Sequence, residues 1–200
     1  ELHLMADLGL LPIDTRRIGV VLSGDFFARP ALDRRGGLGD VSAVWQAFGS
    51  RFAWVVGVAG NHDTFGAGAA VPNRCGAGIV LDGGTVVVDG LRIAGLSGVI
   101  GSKRKVHRRP LAQYGEQLQQ LITGRPDLVI LHESPRSPRC GKGNADLNGL
   151  LERANALVVC GHAHWKEPLV DFLEQDTQWL NVDARLVLLV RATEGFVDLG

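Results

Sequence analysis

The segment GNADLNGLLERANALVVCGHAH, residues 143–164, sets a helix and a strand end to end. Its first half reads as a helix. Its second half, ALVVC, is a short unbroken apolar run of the kind that fills a strand covered on both faces, and it leaves through Gly161 into His162-Ala163-His164. Such a helix followed by a buried strand is the unit from which α/β sheets are built. Three more runs repeat the strand and its polar exit: RIGVVLSGD (17–25), FAWVVGVAGNHD (52–63) and DLVILHESP (127–135).

Helical patterns lie between these runs. ELHLMADLGLL (1–11) places Leu2, Met5, Leu8 and Leu11 at helical spacing. GLGDVSAVWQAFGS (37–50) has Asp40 to cap a helix and a stripe of Val41, Val44, Trp45 and Phe48. AQYGEQLQQLITGRP (112–126) is a third. The middle of the chain differs. IVL, TVVV and LRIAGLSG are separated by Gly83-Gly84 and Asp89-Gly90, both hairpin signals. TQWLNVDAR, LVLLVRAT and GFVDL are expected to close the fold as strands, and the glycine-rich stretch 66–78 is expected to be a loop. Alternating helices and strands with hairpins in the middle and tail predict one mixed α/β domain, with two packed sheets, rather than a purely doubly wound one.

Bulk composition narrows the class. With 200 residues, 46% of them apolar, and no formal net charge, the chain has the material for one substantial core and no global attraction to nucleic acid or membrane. No apolar run reaches the roughly 18 residues of a membrane span. Cys75, Cys140 and Cys160 are too few for a disulfide framework and form no CxxC pair, so a reducing compartment, the cytoplasm, is expected.

Each polar exit has a bland explanation by itself. Asp25 or Asp63 can cap a helix or brace a turn, Asn61 can occupy a tight turn, and His132 can be a hydrogen-bonded histidine at the core edge. Together they are carboxylate, amide oxygen and imidazole, the donor set of divalent metal sites, delivered at four comparable strand ends.

In order, SGDFFARP, AGNHD, LHESP and CGHAH resemble the motifs of the calcineurin-like metallophosphoesterases: Gly-Asp, Gly-Asn-His-Asp/Glu, a lone His, and Gly-His-x-His. The resemblance runs from about Gly24 to His164. It implies an α/β fold, specifically a four-layer α/β/β/α sandwich with two mixed sheets, forming a single domain over residues 1–200. It also implies two divalent cations, Mn²⁺ foremost, with Fe²⁺, Zn²⁺ and Ni²⁺ also suited. Asp25 would bridge the two ions, Asn61, His132 and His162 would complete the second, and His164 would bind the first. His62 would contact the phosphoryl group and protonate the leaving oxygen, with Asp63 orienting it. The implied reaction is phosphoester hydrolysis by in-line attack of metal-activated water, with phosphodiesters favoured over monoesters. In an extended segment, alternation would turn His162 and His164 to one side and Ala163 away.

That family pattern opens with Asp-x-His. ELHLMADLGLL occupies the place of the helix that follows it, so the pair and the first strand are expected just upstream of Glu1. Glu1 and His3 are a chemically possible replacement, but Leu2, Met5 and Leu8 set them on a helix. Without the pair, the alternative is a non-catalytic phosphate-ligand binding or scaffold protein that keeps the fold.

Substrate clues are fewer. Arg29 is a phosphate contact, a loop-positioning residue or a surface ion pair. Arg136 and Arg139 follow His132 closely and are expected at a bound phosphate, with Lys142 beside them. KRKVHRRP (103–110) is either a phosphate-rich landing surface or a solvated loop. VDGLRIAGLSGVIG resembles, briefly, a stretch of RNA lariat debranching enzymes, and mainly supports the second sheet. The expected partner is a phosphoester small molecule or nucleotide, with nucleic acid a weaker case. Trp165 is a lid or packing, Cys160 is buried, and His107 is not a ligand.

Overall fold

The computed structural model describes residues 14–27, 37–68 and 70–189. The helix expected over residues 1–11, Arg29, and the closing segment from residue 190 onward lie outside them. In chain order the strands are β1 (Gly19–Leu22), β2 (Gly39–Asp40), β3 (Trp54–Gly57), β4 (Asp63–Thr64), β5 (Arg74–Cys75), β6 (Gly78–Val80) and β7 (Gly84–Val88). They continue as β8 (Leu91–Leu96), β9 (Val99–Ile100), β10 (Arg108–Arg109), β11 (Leu128–Leu131), β12 (Leu157–Cys160), β13 (Leu169–Phe172) and β14 (Thr177–Asn181). The helices are α1 (Ser42–Gly49), α2 (Leu111–Thr123) and the short α3 (Asn148–Leu151).

Two mixed sheets stack face to face between helices. One has the order β1-β3-β6-β5, the other β13-β14-β12-β11-β8-β7. The four runs that read as buried strands are β1, β3, β11 and β12; β1 pairs parallel to β3, and β11 pairs parallel to β12. Side-chain alternation divides the core into three layers. In the larger sheet, Ile93, Leu128, Ile130 and Val159 meet Val56 and Val58 of the smaller one. From the opposite face, Leu96, Val129, Leu131 and Val158 meet Tyr114, Leu118 and Leu151 of the helices. On the outer face of the smaller sheet, Leu22, Val55 and Val80 pack on Trp45 of α1. This is the α/β/β/α sandwich expected from the sequence. Every buried strand must be apolar on both sides, which is why alternation is invisible in LVVC or LVIL.

One hairpin signal was misleading. Asp89 and Gly90, both at positive φ, make the two-residue turn between β7 and β8, as expected. Gly83-Gly84 does not make a hairpin. There the chain leaves β6 in one sheet and enters β7 at the edge of the other. Leu81 donates its N–H to Gly57 O (2.8 Å) and Gly83 to Gly95 O (2.9 Å), so three residues carry the chain between layers. Gly95 makes the crossing possible, since a Cβ there would stand 2.6 Å from Leu81 Cβ. The expected loop 66–78 carries β5, and Leu186–Leu189, expected in a strand, belong to none. Asp40 does brace α1, accepting the Ser42 N–H at 2.9 Å. No helix among the described residues is long and apolar enough to cross a membrane.

Candidate metal centre

The exits of β1, β3, β11 and β12 meet at one rim. Two glycines let the first two touch. A Cβ on Gly24 would lie 2.4 Å from Gly60 N, and a Cβ on Gly60 would lie 2.0 Å from Asp25 Oδ1. Gly24 and Asp25 both have positive φ, 86° and 57°, a conformation that Gly accepts freely and Asp better than most residues. Asp63 then fastens the two loops. Its Oδ2 accepts the N–H groups of Asp25 (2.7 Å) and Gly60 (2.8 Å), and its Oδ1 accepts that of Phe27 (3.1 Å).

Within this frame the carboxylate of Asp25 and the imidazoles of His132 and His162 each offer a ligand atom, all within 4.8 Å of one another. The His132 and His162 rings stand edge to face with centroids 5.1 Å apart. His132 is almost fully buried, and its Nδ1 lies 2.8 Å from Ser23 O. A carbonyl only accepts, so Nδ1 carries a proton and the ring is held in one orientation. Nε2 faces Asp25 Oδ2 at 3.2 Å and Asn61 Oδ1 at 3.3 Å. One ring nitrogen thus meets two oxygens, an arrangement that a single proton satisfies poorly and a cation satisfies fully. The donor set fits a divalent ion held by Asp25, His132 and His162, with the Asn61 oxygen adjoining.

The local electrostatics follow from burial and from the Asp25 charge. Burial disfavours a charge on His132, but its hydrogen bond and ion pair with Asp25 prevail and hold its pKa above the ordinary histidine value. Burial likewise works against the Asp25 carboxylate, and the same contact with His132 outweighs it, leaving its pKa lowered. Burial, with repulsion from His132, pushes His162 down to about 4, so at neutral pH its lone pair is available to a cation. Burial and the neighbouring Asp25 charge raise Asp63 despite its three N–H donors.

The remaining candidate residues have other partners. No hydrogen bond joins Asp63 to the His62 ring among the described residues. His62 Nδ1 lies 2.6 Å from Gly37 O, and the Asp63 oxygens are taken by backbone N–H groups. His62 instead joins the centre through its backbone, donating N–H to Asp25 Oδ1 at 3.0 Å. His164 is not in the cluster. Its Nδ1 lies 3.4 Å from Asp183 Oδ2, and the ring is 48% exposed. His162 and His164 do not alternate as in a strand, because the chain turns: His162 has φ 64° and Ala163 N–H bonds back to Gly161 O at 2.7 Å. Among the described residues there is one group of three ligating side chains, and no second. Arg139 is ion-paired with Glu167 at the surface. Arg136 is exposed, and its backbone is clamped by Asn148, whose Oδ1 accepts Arg136 N–H (2.9 Å) while Nδ2 donates to Arg136 O (3.0 Å). Trp165 is core packing, fully buried on the helix side.

Several residues of this region escaped the sequence reading. Ser23 orients His132 through a main-chain carbonyl, which no residue type reveals. Glu133, next to His132, is buried and accepts the Ile100 N–H at 3.0 Å, and burial raises its pKa. His107, expected not to be a ligand, is half-buried, and burial lowers its pKa.

No known family model matches the chain, and no curated protein does. Among solved structures the fold is similar to the crystal structure of TT1561 of Thermus thermophilus, with a TM-score of 0.56 at 15% identity, over 91% of this chain and 80% of that one. At that identity the likeness speaks to the fold alone.

Proposed function

We propose that this chain is a metal-dependent phosphoester hydrolase of the metallophosphoesterase type, favouring phosphodiesters over monoesters, with a small phosphoester or nucleotide as substrate. The observation that carries this reading is the convergence of Asp25, His132 and His162 at the rim of two stacked sheets, their ligand atoms within 4.8 Å. A divalent cation, Mn²⁺ in the first instance, would supply Lewis acidity there, drawing charge from phosphoryl oxygens and making nearby water more acidic. Asp25 contributes the negative charge that retains the cation. His132, fixed by Ser23 O, and His162, uncharged at neutral pH, contribute lone pairs. His62 is anchored at Nδ1 by Gly37 O, which leaves Nε2 to carry the proton delivered to the leaving oxygen. A second cation, with His164 among its ligands, would require His164 to exchange its present contact with Asp183.

That contact favours a second reading, a phosphate-ligand binding protein that keeps the fold without turnover. Metal content and hydrolysis of bis-p-nitrophenyl phosphate and p-nitrophenyl phosphate, measured on the Mn²⁺-treated protein, separate the two. A hydrolase binds metal and turns over at least one ester, and Asp25→Asn loses both properties. Metal binding without turnover is the signature of the binding protein. Undiminished hydrolysis in Asp25→Asn would refute the proposed site.

A further inference from the structure

Up to Val58 the β3 run is bonded on both sides. Val58 donates its N–H to Leu22 O (2.9 Å), and Gly57 O accepts that of Leu81 (2.8 Å). In a parallel ladder the next bond of that second series would run from Ala59 N–H to Leu81 O. The Ser97 hydroxyl stands between those two groups instead, accepting the Ala59 N–H and donating to Leu81 O, each at 2.8 Å. Ala59 and Leu81 follow β3 and β6 of the smaller sheet, whereas Ser97 follows β8 of the larger. A side chain from one sheet is thus inserted into the ladder of the other, in a position only 1% exposed.

The insertion is fixed from both directions. Gly98 donates its N–H to Ala59 O (2.8 Å), so Ser97 and Gly98 together hold both main-chain groups of Ala59. Ser97 is held in turn. Its N–H donates to Asp82 Oδ1 (3.3 Å), and its carbonyl accepts from Arg109 Nη1 (2.6 Å), while Arg109 Nη2 grips both Asp82 oxygens at 2.5 and 2.6 Å. Two residues beyond Ala59 lies Asn61, which is buried and has Oδ1 3.3 Å from His132 Nε2. Its neighbours Gly60 and His62 donate their N–H groups to Asp63 Oδ2 (2.8 Å) and Asp25 Oδ1 (3.0 Å). The Asn61 carboxamide therefore hangs on main chain held at every adjoining residue, and Ser97 holds the upstream end.

Building on the proposed function, we infer that Ser97 is a positioning residue of the metal centre: by keeping the ladder between β3 and β6 open at Ala59, it delivers the Asn61 oxygen to the cation. Ser97 itself touches neither cation nor substrate. Without the hydroxyl, Ala59 N–H can close onto Leu81 O at about 2.9 Å. Both buried groups then stay paired, but the segment leading to Asn61 is drawn towards β6 and Asn61 shifts with it. A hydrogen bond that served stability alone would leave metal affinity unchanged.

The test is a double-mutant cycle on Mn²⁺ affinity. Titration calorimetry compares wild type, Ser97→Ala, Asn61→Ala and the doubly substituted protein, with folding checked by circular dichroism. Ser97→Ala is expected to weaken Mn²⁺ binding roughly tenfold, the lower end of the range for residues that orient a metal ligand. In the Asn61→Ala background the same change should have no further effect, because the oxygen it positions is gone. Ser97→Cys, of similar size but with a weaker donor and acceptor, should fall between wild type and Ser97→Ala, and it takes the place of Ser97→Ala in the cycle should that variant not fold. Mn²⁺ affinity equal to wild type in Ser97→Ala would overturn the inference while leaving the metal centre intact. Additive losses in the doubly substituted protein would also overturn it, since Ser97 would then act on the centre without Asn61. A wild-type protein that binds no Mn²⁺ would overturn this inference and the proposed function together.

Discussion

At the scale of single residues, the candidate metal centre depends on how closely main chain and carboxylate approach at Gly60. A methyl group there would stand 2.0 Å from Asp25 Oδ1 and 2.3 Å from Asp25 N, both on a segment that Asp63 also holds. Neither can retreat without breaking those bonds. Gly60→Ala is therefore expected to cost about 1–3 kcal/mol of stability, the usual penalty for overpacking, and to weaken Mn²⁺ binding by more than roughly tenfold. Denaturant midpoints and metal titration check the two effects separately, and unaltered metal affinity would show that Asp25 is free to relax. His62 makes the opposite case. Its side chain is not among the three clustered groups, so His62→Ala should retain metal, and under the proposed function kcat falls by roughly 10²–10⁴-fold, the range for losing a general acid. The fall should be smaller for an ester whose leaving group needs no proton. The residue types at these exits were legible in the sequence because metal donors are chemically few. Their orientation was not. The Gly37 carbonyl on His62, the Ser23 carbonyl on His132 and the left-handed turn at His162 are main-chain facts set by distant segments.

At the scale of elements, helix α2 shows how a polar atom enters an otherwise apolar layer. Tyr114, Leu118, Leu121 and Ile122 form its buried face against β8 and β11. The Tyr114 hydroxyl is fully buried and has no hydrogen-bond partner among the described residues. Burial, with a smaller contribution from the Glu133 charge, lifts its pKa well above the phenol value. The folded value thus exceeds the unfolded value of about 10, so the protein keeps its full stability below that pH and loses it as the pH rises above. Tyr114→Phe removes the hydroxyl and keeps the ring. It is expected to match or slightly exceed wild type at pH 8, within about 1 kcal/mol, and to show a shallower loss of stability above about pH 10. Thermal melts across roughly pH 8 to 11 measure both, and parallel curves would dissociate the alkaline loss from Tyr114. The buried strands were easy to read because double-sided burial leaves only apolar residues. The crossing at Gly83-Gly84 was not, since two glycines serve a hairpin and a change of sheet equally well. What decides between them is whether Leu81 finds Gly57 or Gly95 across from it, a choice made by tertiary packing.

At the scale of the whole molecule, the candidate metal centre sits astride the seam between the two sheets. Asp25 and Asn61 leave strands of the smaller sheet, and His132 and His162 leave strands of the larger. Beneath them the sheets are joined by apolar contacts, Val56 and Val58 against Ile93, Ile130 and Val159. An ion bound by residues from both sides is therefore a cross-link between layers that the unfolded chain does not possess. Its stabilisation is set by mass action: at a free concentration of about a hundred times Kd it contributes about 2.7 kcal/mol. For a chain of this length each kcal/mol moves the melting temperature by roughly 2–4 °C, so Mn²⁺ should raise Tm by about 5–10 °C over the chelator-treated protein. The three apolar layers are independent of the ion, so chelation should lower Tm without unfolding the protein at room temperature. Asp25→Asn should abolish the Mn²⁺-dependent increment while leaving the chelator-treated Tm close to that of wild type. His62→Ala should preserve the increment. A Tm indifferent to Mn²⁺ in wild type would mean that the convergence of these four strand ends does not hold a cation in the folded state.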